Sequence, residues 1–130
     1  MATATATPTP VVSEDPDGGL ELTVHLSEPS GRYQSGEAVL NSANGQTRVT
    51  VNVSPPRDEA QPAHVHAGSC DDVGPVVHFL ENVVTGYSET LLDVPMNEIA
   101  DGGHVINLHL SSDRFEVYTA CAPIPDWSSR

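Results

Sequence analysis

The residues best suited to chemistry in this sequence are the two histidines of His64-Val65-His66. In a β-strand, residues i and i+2 project from the same face, so two imidazoles at this spacing lie close enough for one metal ion to bridge them. Imidazole is a good ligand for zinc, copper, iron and nickel. A solvent-facing pair of histidines would have the same spacing, so the pair alone is compatible with a metal site or with a plain surface.

His109 is a third candidate ligand, because it ends a segment that alternates in polarity. If that segment is a strand, Val105, Asn107 and His109 share one face, while Ile106 and Leu108 share the other. Two strands that carry histidines at the same level of a sheet would bring three imidazoles together. The sequence therefore predicts a three-histidine metal site.

The other three histidines are weaker candidates. His78 alternates with Val76 and Leu80 on an apolar segment. His104 follows a Gly-Gly turn, and His25 lies on the polar face of the first predicted strand. His78 and His104 are candidates for a fourth ligand, although an exposed or locally hydrogen-bonded histidine is the competing interpretation for His25 and His104.

Other chemistries find little support. The sequence contains no GxSxG, GxxxxGK[ST], GxGxxG, HExxH or CxxC motif, which are the usual signatures of hydrolases, nucleotide-binding proteins, zinc proteases and thiol redox proteins. The acidic pairs Asp58-Glu59 and Asp71-Asp72 are most simply solvated charge in loops, and no EF-hand spacing supports calcium binding.

The elements that must position the histidines are short strands. From Leu20 onward, apolar and polar residues alternate in runs that are separated by turns rich in Gly, Pro, Asn and Asp, and only the segment Pro95–Ala100 hints at a helical turn. The pattern favours an all-β antiparallel sandwich or barrel. The predicted strands are Leu20–Leu26, Glu37–Asn41, Thr47–Val53, Ala63–His66, Val76–Val84, Ser88–Val94, His104–Leu110 and Phe115–Ala120.

Composition limits the partners. The chain of 130 residues has 5 basic and 18 acidic side chains, a formal charge of −13 and no lysine. Proteins that bind nucleic acid place Lys and Arg against phosphate, so we expect neither nucleic acid nor an anionic membrane surface as a partner. No run approaches the roughly 20 apolar residues that a membrane-spanning helix needs.

Residues 1–19 differ from the rest of the chain. They are rich in Ala, Thr and Pro and then acidic, with almost nothing to bury. We predict a flexible linker there, followed by one domain over residues 20–130, a length that suits a single modest core. Linkers of this kind often tether exported or lipid-anchored domains, which favours a periplasmic or cell-surface location. The alternative is an ordinary disordered terminus of a cytosolic protein.

Cys70 and Cys121 are the two cysteines of the chain. As a disulfide they would close a loop that is worth roughly 4 kcal/mol in the chain-entropy model, a large contribution to a small domain. Two buried free thiols are the alternative. An exported location favours the bridge.

Several of these segments, taken in order, resemble the Cu/Zn superoxide dismutase family. The nearer likeness is to its compact bacterial relatives, the dismutase-like and CHRD-type domains of exported lipoproteins. It covers most of Leu20 to Ile124. The segments that carry it are Ala63–Gly68, Cys70, Gly74-Pro75, His78-Phe79, Ile106–His109 and Ala120-Cys121.

The resemblance implies an eight-stranded Greek-key β-sandwich or barrel. It implies that His64, His66 and His109 are copper ligands, and that Cys70 and Cys121 form the family's disulfide. These implications agree with the strand faces and the loop closure argued above.

The sequence departs from the family around zinc and around the substrate. Val76, not the histidine that bridges copper and zinc, follows Gly74-Pro75, and residues 79–101 contain no histidine for a zinc loop. We therefore expect copper and not zinc. Tyr118 stands where the family has the arginine that guides superoxide, and Arg114 is the nearest basic residue that could compensate.

Three functions remain at this point. The first is an exported domain that binds one copper ion, and the second is a copper-only superoxide dismutase that lacks the zinc site. The third is a metal-free structural or adhesive module on a tether. An acidic surface attracts a cation better than it attracts superoxide, an anion, so copper binding is the leading hypothesis.

Overall fold

Nine antiparallel strands and one 3₁₀ turn make up the described part of the chain. The computed structural model describes residues 11–14, 20–28, 31 and 33–126. The all-β class predicted from the sequence is confirmed. The strands are β1 (Val11–Glu14), β2 (Leu20–Leu26), β3 (Ser35–Ala43), β4 (Gln46–Ser54), β5 (Ala63–Ser69), β6 (Asp72–Phe79), β7 (Tyr87–Leu92), β8 (His104–His109) and β9 (Tyr118–Ile124), and the 3₁₀ turn is Met96–Glu98.

The alternation of apolar residues explains how the strands pack. On β2, Leu22, Val24 and Leu26 are buried while the residues between them are partly exposed. On β4, Val49 and Val51 are fully buried in the same way. Each such strand therefore has one apolar face, and two sheets built from these strands pack with those faces together.

The two sheets have the strand orders β1-β2-β3-β4-β7 and β6-β5-β8-β9. The chain crosses between them after β4, after β6 and after β7. Strand β7 returns to pair with β4, and β8 returns to pair with β5, which is a Greek-key arrangement. A bridge between Ser27 and Cys121 links the end of β2 to β9 across one corner of the sandwich.

The strand at Val11–Glu14 was not expected, because these residues belong to the predicted linker. It pairs antiparallel with β2, with Val12 opposite Leu22. Valine is β-branched and favours a strand, and the pairing satisfies an otherwise open edge of β2. The described residues therefore contain nine strands and not eight. The other residues of the predicted linker, 1–10 and 15–19, lie outside the described residues.

Two of the other differences between predicted and observed strand boundaries affect the site. β6 runs from Asp72 to Phe79 and not over Val76–Val84, because β5 continues to Ser69 and pairs with β6 in a tight hairpin. β9 begins at Tyr118 and not at Phe115, because residues 111–117 form two successive turns closed by backbone hydrogen bonds.

The core between the sheets is almost entirely aliphatic. Both phenylalanines of the chain lie outside it, with Phe79 73% exposed and Phe115 47% exposed. No helix among the described residues has the length and apolar character needed to span a membrane.

Candidate metal centre

His64 and His66 lie on the outer face of β5. Val65 between them is fully buried in the core, so its two neighbours point away from the core. On the adjacent β8, Asn107 pairs with His64, and His109 follows two residues later on the same face. The three predicted ligands therefore meet on the outer face of the four-stranded sheet.

The three imidazoles form a compact group. Their candidate ligand nitrogens all lie within 4.8 Å of one another, and His64 Nδ1 is 3.1 Å from His109 Nε2. Nitrogens bound to one ion at about 2 Å lie roughly 3 to 4 Å apart. Small rotations of the rings would therefore let one ion contact all three.

Backbone carbonyls orient two of the rings. The Nδ1–H of His66 donates to the carbonyl of Gly74 at 2.9 Å, and the Nδ1–H of His109 donates to that of Phe115 at 2.7 Å. Each bond places the proton on Nδ1 and leaves a lone pair on Nε2, which is how metal-binding histidines are commonly held. The Nε2 of His66 is buried and has no hydrogen-bond partner in the described part of the chain.

His64 takes part through its other nitrogen. Its Nδ1 faces His109 Nε2, and because that Nε2 carries no proton, the Nδ1–H of His64 donates to it. In the other tautomer of His64, with the proton on Nε2, its Nδ1 lone pair could bind a metal ion instead. The group therefore offers one Nδ1 and two Nε2 donors, a neutral set that suits copper or zinc.

Three exposed aromatic side chains cover the group. The ring centroid of Phe79 is 4.9 Å from that of His64, and those of Phe115 and Tyr118 are 5.1 and 5.3 Å from that of His109. These rings take up the solvent-facing positions, so that each histidine is at most 6% exposed although it lies on the outer face of a sheet. The cover makes the site poorly hydrated, which strengthens electrostatic interactions inside it.

Neither this aromatic cover nor the two carbonyl acceptors was predicted from the sequence. The composition contains one indication of the aromatic cover. The chain has only two phenylalanines, and one of them, Phe115, lies in the short segment between His109 and Cys121. The roles of the Gly74 and Phe115 carbonyls could not be predicted from residue type, because any residue has a backbone carbonyl.

The structure does not bring His78 or His104 into the group. His78 pairs with Val65, which places it on the face of the sheet opposite His64 and His66. The Nδ1 of His104 is hydrogen-bonded to Asp101 Oδ1 at 2.8 Å, as the locally bonded interpretation predicted. Neither histidine is therefore placed to be a fourth ligand.

Arg114, the candidate for guiding superoxide, lies in the turns between β8 and β9. Its Nε is 2.8 Å from a carboxylate oxygen of Glu116, and both side chains are largely exposed. The neighbouring carboxylate offsets the charge of the guanidinium. The segment beside the histidines therefore offers little attraction to an anion.

The predicted disulfide between Cys70 and Cys121 is present. Its Cα atoms are 6.0 Å apart, and it joins residues 51 positions apart in the sequence. It fastens the tip of the β5–β6 hairpin to β9. Because Gly74, whose carbonyl holds His66, lies on the same hairpin, the bridge also secures one side of the site.

Burial favours the neutral forms of His64 and His109. Burial, together with the neighbouring His109 and His66, lowers the pKa of His64 from 6.5 to about 4. Burial also lowers the pKa of His109, although its hydrogen bond to the Phe115 carbonyl acts in the opposite direction. Both rings can therefore offer lone pairs to a metal ion in mildly acidic solution.

We expect acid to destabilise the metal-free protein because of these shifts. Between pH 6.5 and about 4, the unfolded chain protonates His64 while the folded chain does not, so the free energy of unfolding falls as the pH is lowered through this window. A fully buried group with this shift would contribute about 3 kcal/mol, and with an exposed rim around the site we expect about 2 kcal/mol. Urea unfolding of the metal-free protein at several pH values measures this change in the free energy of unfolding.

The matched variants are His64→Gln and His25→Gln. The first removes one of the two rings whose pKa is lowered and should reduce the change of the free energy of unfolding with pH. The second alters a histidine on β2, in the other sheet, and should leave the dependence unchanged. Equal slopes for wild type and His64→Gln would contradict the prediction.

Comparison with known proteins finds no match to this chain among family models, curated proteins or solved structures. The likeness to Cu/Zn superoxide dismutases therefore rests on the sequence segments alone, and the function must be argued from the site.

Proposed function

We propose that this protein is an exported copper-binding domain that holds one copper ion through His64, His66 and His109. One observation carries the proposal. Three buried imidazoles converge, and two of them are held by backbone carbonyls so that their Nε2 lone pairs face the group.

A structural role explains these histidines poorly. A buried polar atom without a hydrogen bond destabilises a fold, and the Nε2 of His66 is such an atom. Burial also makes His64 and His109 resist protonation, as their lowered pKa values show. A bound cation would satisfy all three lone pairs at once.

Copper is favoured over zinc on two grounds. A given set of nitrogen ligands binds Cu(II) more tightly than Zn(II) in the Irving–Williams order. The group found among the described residues contains only histidines, without the aspartate that the zinc site of the resembled family uses. A copper ion held here would supply positive charge and would be able to gain or lose one electron.

Two features support an extracytoplasmic location. The Cys70–Cys121 disulfide is typical of proteins that fold in oxidising compartments. The formal charge of −13 raises the local concentration of cations around the domain, which suits a protein that collects a metal outside the cell interior.

Electron paramagnetic resonance of the Cu(II)-titrated protein tests the proposal. We expect one equivalent of Cu(II) with hyperfine coupling to nitrogen, and a loss of that signal in a variant that combines His64→Ala with His109→Ala. Metal analysis of protein isolated from its own host should find copper. Failure to bind one equivalent, or binding that the double variant retains, would sink the proposal.

We do not expect the copper-loaded protein to be an efficient superoxide dismutase. Its net charge repels an anion, Arg114 is paired with Glu116, and Tyr118 partly covers the site. Stopped-flow decay of superoxide should therefore run no faster than in buffer.

The variant Tyr118→Arg tests whether unfavourable charge near the site keeps superoxide decay slow, because it places a cation beside His109. We expect it to raise the rate above that of the wild type. Rapid turnover by the wild-type protein would instead make the enzyme the better hypothesis.

A further inference from the structure

Asn107 is a buried amide that lacks hydrogen-bond partners in the described part of the chain. The residue is 0% exposed, and neither its Oδ1 nor its Nδ2 is bonded. Burying an amide in this state costs folding free energy, whereas valine or leucine would pack at such a strand position without that cost. A residue that weakens the fold in this way needs another reason for its presence.

The position of Asn107 suggests the reason. It pairs with His64 across the β5–β8 ladder and precedes His109 by two residues, so it shares the outer face with the histidines. Residues directly opposite each other in a sheet have Cβ atoms about 5 Å apart. The unpartnered amide therefore lies beside His64, on the same outer face as the three histidines of the proposed site.

We propose that Asn107 supplies a fourth donor to the metal site, through its side-chain Oδ1. The inference rests on the proposed function, since it needs an ion held by the three histidines. A neutral amide oxygen is an accepted weak ligand of copper beside imidazole donors. The Oδ1 of Asn107 would be the fourth ligand, a role for which His78 and His104 were the candidates from the sequence. The fold places both of those histidines outside the group.

The variant Asn107→Leu tests this assignment, because leucine has nearly the shape of asparagine without its polar atoms. We expect the metal-free variant to melt at a higher temperature than the wild type, since the unpaired amide is gone. We also expect its affinity for Cu(II) to fall about tenfold or more. The parallel hyperfine splitting of the bound Cu(II) should change, because one donor atom is lost.

Ser88→Ala is the matched control. The Oγ of Ser88 is also buried without a partner, but it lies on β7 in the other sheet. This variant should gain stability in the same way and leave Cu(II) affinity and the resonance spectrum unchanged. It separates a general effect of removing an unpaired polar atom from an effect on the site.

A second variant, Asn107→Val, covers the case in which the leucine variant does not fold. If a folded variant binds Cu(II) with wild-type affinity and an unchanged spectrum, the inference is wrong, and the amide is satisfied by buried water alone. That result leaves the proposed function intact. If the wild-type protein binds no copper at the histidines, the proposed function fails first, and the role of Asn107 falls with it.

Discussion

Replacing His66 with alanine should lower the affinity for Cu(II) by at least about 100-fold. Mutating the groups that merely orient metal ligands typically costs 10- to 100-fold in affinity, and His66 is itself a ligand in the proposed site. Its Nε2 is buried, unpartnered among the described residues and already free of its proton. The effect should therefore be a direct loss of one donor.

Competition with a chromophoric chelator measures this affinity, and His104→Ala provides the matched control. His104 is also a histidine on a strand of the same sheet, but it is bonded to Asp101 and lies outside the group. We expect its replacement to leave the affinity unchanged. If His66→Ala binds as tightly as the wild type while His104→Ala does not, copper is held elsewhere on the surface.

The first two histidines of the site could be predicted because their common face depends only on strand periodicity. His64 and His66 share a face whatever the rest of the fold does. His109 required one more step, namely that β8 pairs with β5 at the same level, and the pairing of His64 with Asn107 confirms it. The disulfide could also be predicted, although the choice of a bridge over free thiols came from the expected export and from the resemblance.

The burial of the site could not be predicted in the same way. An outer face of a sheet is normally exposed, and the histidines are buried only because Phe79, Phe115 and Tyr118 cover them. Phe115 reaches the histidines because residues 111–117 turn twice, whereas the sequence pattern predicted that a strand begins at Phe115. Turns of this kind depend on tertiary contacts more than on local residue preference.

The position of His78 shows a second limit. His78 was a candidate fourth ligand because it alternates with Val76, which stands where the resembled family has the histidine that bridges copper and zinc. The β5–β6 ladder contains register shifts between Val65 and His66 and between His66 and Gly68. Each shift changes which residues face each other across the ladder, so a prediction based on alternation alone fails there.

Removal of the disulfide should have the second large effect, a loss of stability, because the bridge closes a loop of 51 positions in a chain with a light aliphatic core. Replacing both cysteines, with Cys70→Ala and Cys121→Ala together, should lower the free energy of unfolding by about 4 kcal/mol. Urea unfolding of the metal-free protein measures this loss. Ser69→Ala, at the same hairpin tip, is the matched control; it removes only the exposed hydrogen bond that the Asp72 N–H donates to the Ser69 hydroxyl, so it should cost about 1 kcal/mol or less.

The same pair of substitutions should also weaken copper binding, for a reason that stability alone does not supply. The bridge fastens the hairpin tip to β9, and the hairpin carries Gly74, whose carbonyl fixes the ring of His66. Without the bridge, the hairpin can move away from β9, and the Nε2 of His66 is no longer held toward His64 and His109. We expect Cu(II) affinity to fall about 10-fold under conditions where the variant remains folded, the usual cost of losing a group that orients a ligand. If a folded, bridge-free variant bound copper as tightly as the wild type, the ring of His66 would be held by the sheet alone, and the disulfide would serve only the stability of the domain.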